Sequence, residues 1–166
     1  KGGLPDIRIV ATDVASPESL RLLKEPAYKA FGEVALLMNN AAIGDGAGPW
    51  QDLVRWHRLM VGNFYCVLNG LQALVPDMIA QCTPCAVVNT GSKQGITTPP
   101  GTAAYNVSKA AVKVLTEQLA HELRQVEGCL VGAHLLVPGH TFTGMTARGR
   151  TEPPASAWTP AQVVAR

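Results

Sequence analysis

Short aliphatic and β-branched runs alternate along the chain with longer stretches of helical spacing. Ile7 to Thr12, bounded by Pro5-Asp6 and Asp13, predicts a strand. Ser16-Pro17 predicts an N-cap with proline in the first turn. Helical spacing continues through Leu20, Leu23 and Ala27, with Pro26 expected to distort or end the helix. Val34 to Met38 predicts a second, buried strand ending at Asn39-Asn40, and the loop Gly44-Asp45-Gly46-Ala47-Gly48 follows it. Pro49 to Ala80 predicts a helix with a kink or break at Gly62-Asn63. Cys85 to Asn89 predicts a third strand and Ser92 to Gly101 a loop. Ala103 to Val126 predicts a long helix on Val107, Ala111, Val114, Leu115 and Leu119. Leu130 to Val137 predicts a fourth strand stopped by Pro138-Gly139, and Thr159-Pro160 starts a last helix.

Strands that are apolar throughout and alternate with helices imply an α/β chain whose parallel sheet is covered on both faces. Such sheets bind ligands at the carboxyl ends of their strands. Those ends are Asp13, Asn39-Asn40, Thr90 to Ser92 and Pro138-Gly139, so the polar and glycine residues gather along one edge.

Composition narrows the class. The 166 residues suit a single domain, 1–166, and 47% apolar against 16% charged residues suit a packed core. A formal charge of +2 without a basic block argues against a nucleic-acid or anionic-membrane partner. No uninterrupted apolar run approaches the roughly 20 residues of a membrane span, and no basic-then-apolar leader opens the chain. Cys82 and Cys85 form a C-x-x-C, but Cys66 and Cys129 stand alone, so reduced cysteines of a cytoplasmic protein are expected and no metal site.

The chemistry starts at Tyr105 and Lys109. Four positions apart on a helix, they share one face. An ammonium there favours the ionised phenol, whose ordinary pKa near 10 is too high for acid–base work at neutral pH. Alone, this spacing is common on solvated helix faces. Ser92 alone is a turn serine, Asp13 alone begins the turn before Ser16, and Asn63 alone is a surface helix residue. Gly91-Ser92-Lys93-Gln94-Gly95 lacks the Gly-x-Ser-x-Gly of a hydrolase elbow, and Gly44 to Gly48 lacks G-x-G-x-x-G spacing because Pro49 takes the last glycine's place. That loop is expected to be a flexible segment near the substrate side.

Together these positions resemble the short-chain dehydrogenase/reductase family, in the family's order and over essentially the whole chain. Asp13-Val14 resembles its adenine-contacting Asp, and Asn39-Asn40-Ala41-Ala42 its Asn-Asn-Ala-Gly turn beside the cofactor ribose. Asn63, Ser92, Tyr105 and Lys109 match its catalytic tetrad. Pro138-Gly139 with Thr143 resembles the loop holding the nicotinamide carboxamide.

The resemblance implies a Rossmann-like doubly wound parallel sheet and an NAD(P)-dependent oxidoreductase acting on a small-molecule secondary alcohol or ketone. Tyr105 would be the general acid/base. Lys109 would tune it and contact the ribose, Ser92 would hold the substrate oxygen, and Asn63 would help hold a water at its kink. Cofactor contacts would come from Asp13, Val14, Asn40, Ala41, Ala42, Tyr105, Lys109, Pro138, Gly139 and Thr143. Association as a homodimer or homotetramer would use the helices near Asn63 to Ala80 and Ala103 to Val126. Phe142, Met145 and Arg148-Gly149-Arg150 suggest an apolar pocket with a positive rim.

The chain departs from the pattern in two ways. Ala42 replaces the turn's glycine. The family's first two strands, with their Gly-x-x-x-Gly-x-Gly phosphate turn, and its last strand have no counterpart, so a truncated chain that binds cofactor poorly by itself is the expectation. A non-catalytic scaffold of the same fold is the competing reading, and a lyase or epimerase keeping Tyr and Lys is a third.

Overall fold

Ser16 opens the first helix as expected, its Oγ accepting the Ser19 N–H at 3.2 Å. The computed structural model describes residues 6–44, 46–147 and 149–164. Lys1 to Pro5, Asp45 of the glycine loop and Arg148 of the expected basic rim lie outside them. Helix α1 spans Pro17–Phe31 and runs through Pro26, which therefore does not end it. Gly32, at φ 79°, donates its N–H to Tyr28 O and closes the helix.

Strand β1 is Leu36–Asn39, β2 is Cys85–Thr90 and β3 is Val131–Leu136. They pair in parallel in the order β1-β2-β3, with Asn39 beside Asn89 and Thr90 beside Leu136. Helices α2 (Leu53–Met60) and α3 (Cys66–Ala80) join β1 to β2, separated by a π-helical turn at Val61–Tyr65. The break expected at Gly62-Asn63 is this turn. The one-turn helix α4 (Gln94–Thr97) interrupts the expected loop, and α5 (Ala103–Leu123) leads to β3. Beyond β3 lie α6 (Gly144–Ala147) and α7 (Pro160–Val164), with Thr141 bridging Trp158.

Leu37, Val87, Val131, Ala133 and Leu135 point to one side of the sheet and pack with Val67, Leu71, Leu74, Val75 and Met78 of α3 and Val112 of α5. This is the main core. By length and composition the 28-residue helical run Leu53–Ala80 could cross a bilayer, but these α3 residues are spent on the sheet. On the other side Leu36, Met38 and Leu136 remain 57%, 49% and 43% exposed. Among the described residues the cover expected on both faces is therefore present on one. For the same reason β1 is not the buried strand expected from Val34 to Met38.

The Ile7 to Thr12 run is a further correction. It forms no strand, and Ile9 is 94% exposed. Strand-forming residues need a hydrogen-bonded neighbour, and the described residues place none beside it.

Polar side chains cross the core in a bonded series. Asn39 Nδ2 donates to Asn89 Oδ1 at 2.8 Å, Asn89 Nδ2 to Thr116 Oγ1 at 3.0 Å, and Thr116 Oγ1 to Val112 O at 2.7 Å. Gly70 lets α3 approach this series, because a Cβ there would collide with Asn39 Oδ1.

Candidate active site

The carboxyl ends of the strands converge on Lys109. Its side chain is 2% exposed, and Nζ donates to the Thr90 carbonyl at the end of β2 at 2.9 Å. Nζ also lies 6.0 Å from the centroid of the Tyr105 ring, one helical turn earlier on α5. Thr90 Oγ1 in turn donates to Asn40 Oδ1 at 3.1 Å, so Asn40, Thr90 and Lys109 form one connected cluster. Burial pushes the Lys109 ammonium below its ordinary 10.5, with Cys66 opposing the shift. The Cys66 thiol donates to Gly62 O at 3.1 Å, and burial pushes its own pKa up, the Lys109 charge opposing.

Tyr105 packs beside Ile43 and Trp56 on a small cluster of Ala47, Leu59 and Ala104. Described residues of the loop before α2 are bonded beside it. Ala104 N donates to Ala47 O at 3.3 Å, Trp56 Nε1 to Gly48 O at 2.8 Å and Arg55 Nη1 to Gly46 O at 2.9 Å.

Asn63 is fully buried in the π-helical turn. Its Oδ1 accepts Ile43 N–H at 2.8 Å, and its Nδ2 donates to Ile43 O at 3.1 Å and to Ser108 Oγ at 3.2 Å. The side chain is thus occupied in clamping the loop after β1 to α5.

Ser92 Oγ accepts Gln94 N–H at 3.2 Å, which leaves its O–H to donate elsewhere. The segment carrying Ser92 is held from two sides. Gly91 N donates to Leu136 O at 2.8 Å and Lys93 N to Pro138 O at 3.3 Å, tying it to the Pro138-Gly139 turn. On the other side Gly95 packs on the α5 backbone, where a Cβ would lie 2.7 Å from the carbonyl carbon of Lys109.

The remaining candidates lie farther out. Asp13 is exposed, and its Oδ1 accepts Ala15 N–H at 3.0 Å, the turn role its position alone suggests. Val14 packs against the main core, and Asn69 Nδ2 reaches its carbonyl at 3.3 Å. Ala41 O accepts from Cys66 Sγ at 3.7 Å, and Ala42 is half-buried. Thr143 donates its backbone N–H to Thr146 Oγ1 at 2.9 Å, at the start of α6. Met145 of α6 reaches Gly44, with its Cγ 2.9 Å from where a Gly44 Cβ would stand.

Sequence reasoning placed Thr90 at the ligand edge without a role, weighed Gly95 only against a hydrolase elbow and Cys66 only as a lone cysteine, and passed over Ser108. Ser108 carried a signal: a serine inside an apolar helix, three residues after Tyr105, requires a partner when buried. The partners of Thr90, Asn40 and Lys109, are distant in the chain and leave no local mark.

A family model described as short chain dehydrogenase matches residues 4–154. An uncharacterized oxidoreductase of Staphylococcus saprophyticus is 32% identical over 151 residues, 88% of this chain and 59% of that protein. Sulfoacetaldehyde reductase 2 of Chromohalobacter salexigens is 29% identical over 142 residues, 84% of this chain and 55% of that protein. A crystal structure of a short chain dehydrogenase/reductase from Burkholderia phymatum in complex with NAD has a TM-score of 0.79 and 36% identity, covering 94% of this chain and 57% of that one. A gluconate 5-dehydrogenase from Burkholderia cenocepacia, in complex with NADP and tartrate, has a TM-score of 0.75 and 28% identity, with 86% and 55% covered. The chain thus spans between about half and three fifths of the length of these relatives. With a parallel sheet and a family match over residues 4–154, the chain belongs to the short-chain dehydrogenase family.

Proposed function

We propose that the protein is an oxidoreductase dependent on NAD or NADP, acting on a secondary alcohol or ketone with Tyr105 as general acid/base. The observation that carries this reading is the buried Lys109 ammonium, bonded to Thr90 O at 2.9 Å and 6.0 Å from the Tyr105 ring.

The donor chemistry fits the nicotinamide-ribose half of such a cofactor. An ammonium has three N–H donors, and Thr90 O takes one, so the others suit ribose hydroxyls. Asn40, Ala41 and Ala42 would border that ribose, Pro138, Gly139 and Thr143 the carboxamide, and Asp13 and Val14 the adenine. Nicotinamide, when bound, supplies the hydride donor or acceptor.

This chain's residues manage the oxygen. The Tyr105 phenolate takes the proton from the alcohol, or the Tyr105 phenol gives its proton to the carbonyl oxygen, in the step that matches hydride transfer. Lys109 stabilises negative charge on the phenol oxygen while the proton is away. Ser92 donates its O–H to the substrate oxygen and holds it within reach of the phenol. Asn63 keeps the loop at Ile43 against α5. Self-association would use an open groove of about 240 Å³ between α3 and α5, lined by Leu68, Leu71, Val75, Leu115 and Leu119.

The test is hydride transfer with NAD and NADP across a panel of secondary alcohols and ketones, for wild type and Tyr105→Phe. The variant is expected to lose turnover, by more than about 100-fold, with cofactor affinity retained. Turnover within about tenfold of wild type would refute the role of Tyr105.

A further inference from the structure

We infer that Ser108 is a positioning residue for Tyr105, the link that holds the backbone of the proposed acid/base against the loop walling its ring. The inference rests on the proposed role of Tyr105. A serine inside a helix often donates back to the carbonyl three or four residues earlier, and Ser108 Oγ does so to Tyr105 O at 2.8 Å. Such a bond by itself is local. Here the same oxygen also accepts Asn63 Nδ2 at 3.2 Å from another element, and both residues are 0% exposed.

The connection continues outward. Asn63 holds both the N–H and the carbonyl of Ile43, at 2.8 and 3.1 Å, and Ile43 packs beside Tyr105 on the same small apolar cluster. Tyr105 is therefore bounded twice by one polar series, at its carbonyl through Ser108 and at its ring through Ile43. Lys109, the next residue, is anchored separately on Thr90 O. Two independent anchors set the separation between phenol and ammonium, and the Coulomb energy between two such groups varies inversely with that separation. Without the Ser108 hydroxyl the Tyr105 carbonyl loses its link to Asn63, while Ala104 N stays bonded to Ala47 O at 3.3 Å and Lys109 to Thr90 O.

The test is kcat and KM for wild type and Ser108 variants, together with the 13Cζ chemical shift of Tyr105 in the tyrosine-labelled 166-residue chain. Ser108→Ala should displace the Tyr105 resonance and lower kcat by about tenfold or more, with little change in KM for the cofactor. Ser108→Thr, which keeps the hydroxyl, should return both toward wild type. Ser108→Cys, a weaker acceptor of nearly the same shape, should fall between and serves if the alanine variant does not fold. An unmoved Tyr105 resonance in the folded alanine or cysteine variants would overturn the inference, as would equal effects for alanine and threonine. The resonance decides the placement of Tyr105 by itself. Loss of the catalytic reading would show separately, as a wild type that binds NAD or NADP without turnover while its Tyr105 resonance still responds to Ser108.

Discussion

The ammonium of Lys109 is bonded to the carbonyl of Thr90 at 2.9 Å while its side chain is buried among helix α5, the π-helical turn and the end of β2. A carbonyl dipole offsets only part of the cost of desolvating a full charge. Lys109 is thus held at a cost in stability, an arrangement common at functional sites.

Replacing Lys109 should expose this conflict. Burial holds its pKa below 10.5, so the penalty on the charged form is fully present below the folded pKa. As pH rises through the folded pKa toward 10.5, the folded lysine releases its proton while the unfolded one keeps it. The unfolded state then binds more protons, and the Lys109 contribution to stability rises with pH. Cys66 acts oppositely: its raised pKa favours folding below about pH 9, and that contribution is lost as pH climbs through the folded value. The Lys109 effect is therefore read as the difference between wild type and Lys109→Met. In urea melts the variant should be at least as stable at pH 7, its advantage should shrink at alkaline pH, and turnover should be lost. An advantage that grows with pH would contradict the account.

Gly95→Ala should damage both stability and the site. The new Cβ would meet the carbonyl carbon of Lys109 at 2.7 Å and the Ala110 nitrogen at 2.8 Å, atoms of helix backbone that have no freedom to move aside. Relief requires α4 to move away from α5, taking Ser92 with it. A loss of about 1–3 kcal/mol by denaturant midpoint is expected, with a lower kcat. A variant of unchanged stability and turnover would show that this packing is dispensable.

Asn89→Ala should destabilise the fold through the polar series in the core. It removes the acceptor of Asn39 Nδ2 and the donor to Thr116 Oγ1, and Asn89 is fully buried. Leaving Asn39 without its partner costs about 1–3 kcal/mol, measurable by thermal or urea unfolding. Asn39→Ala in the Asn89→Ala background should then add less than it costs alone, because the shared bond is already gone.

Leu68→Glu tests the groove between α3 and α5. Leu68 lines it and is half-buried, outside the main core, so a charge there should shift sedimentation toward the monomer and leave the monomer's helical spectrum intact. An unchanged oligomeric state would move any self-association to another surface.

Much of this arrangement was legible in the residue order because its causes are local. Ser16-Pro17 caps α1, apolar runs mark β2 and β3, and Tyr105 and Lys109 share a face because α-helices repeat every 3.6 residues. The family pattern, read from Asn39-Asn40, Asn63, Ser92, Tyr105 and Lys109, carried the fold class, and the computed structure brings Asn40, Ser92 and Lys109 to the same sheet edge.

Tertiary placement alone decided the rest. Among the described residues, Ile7 to Thr12 has the residues of a strand but no neighbour to pair with, and β1 has an apolar pattern but one uncovered face. Pro26 stays inside α1 although its type predicts a break. The partners of Asn63 and Thr90, and one of the two partners of Ser108, come from segments far away in the chain. Periodicity and caps are settled by neighbours a few residues away. Burial, pairing and buried hydrogen bonds depend on which surfaces meet, and that is decided only when the chain packs.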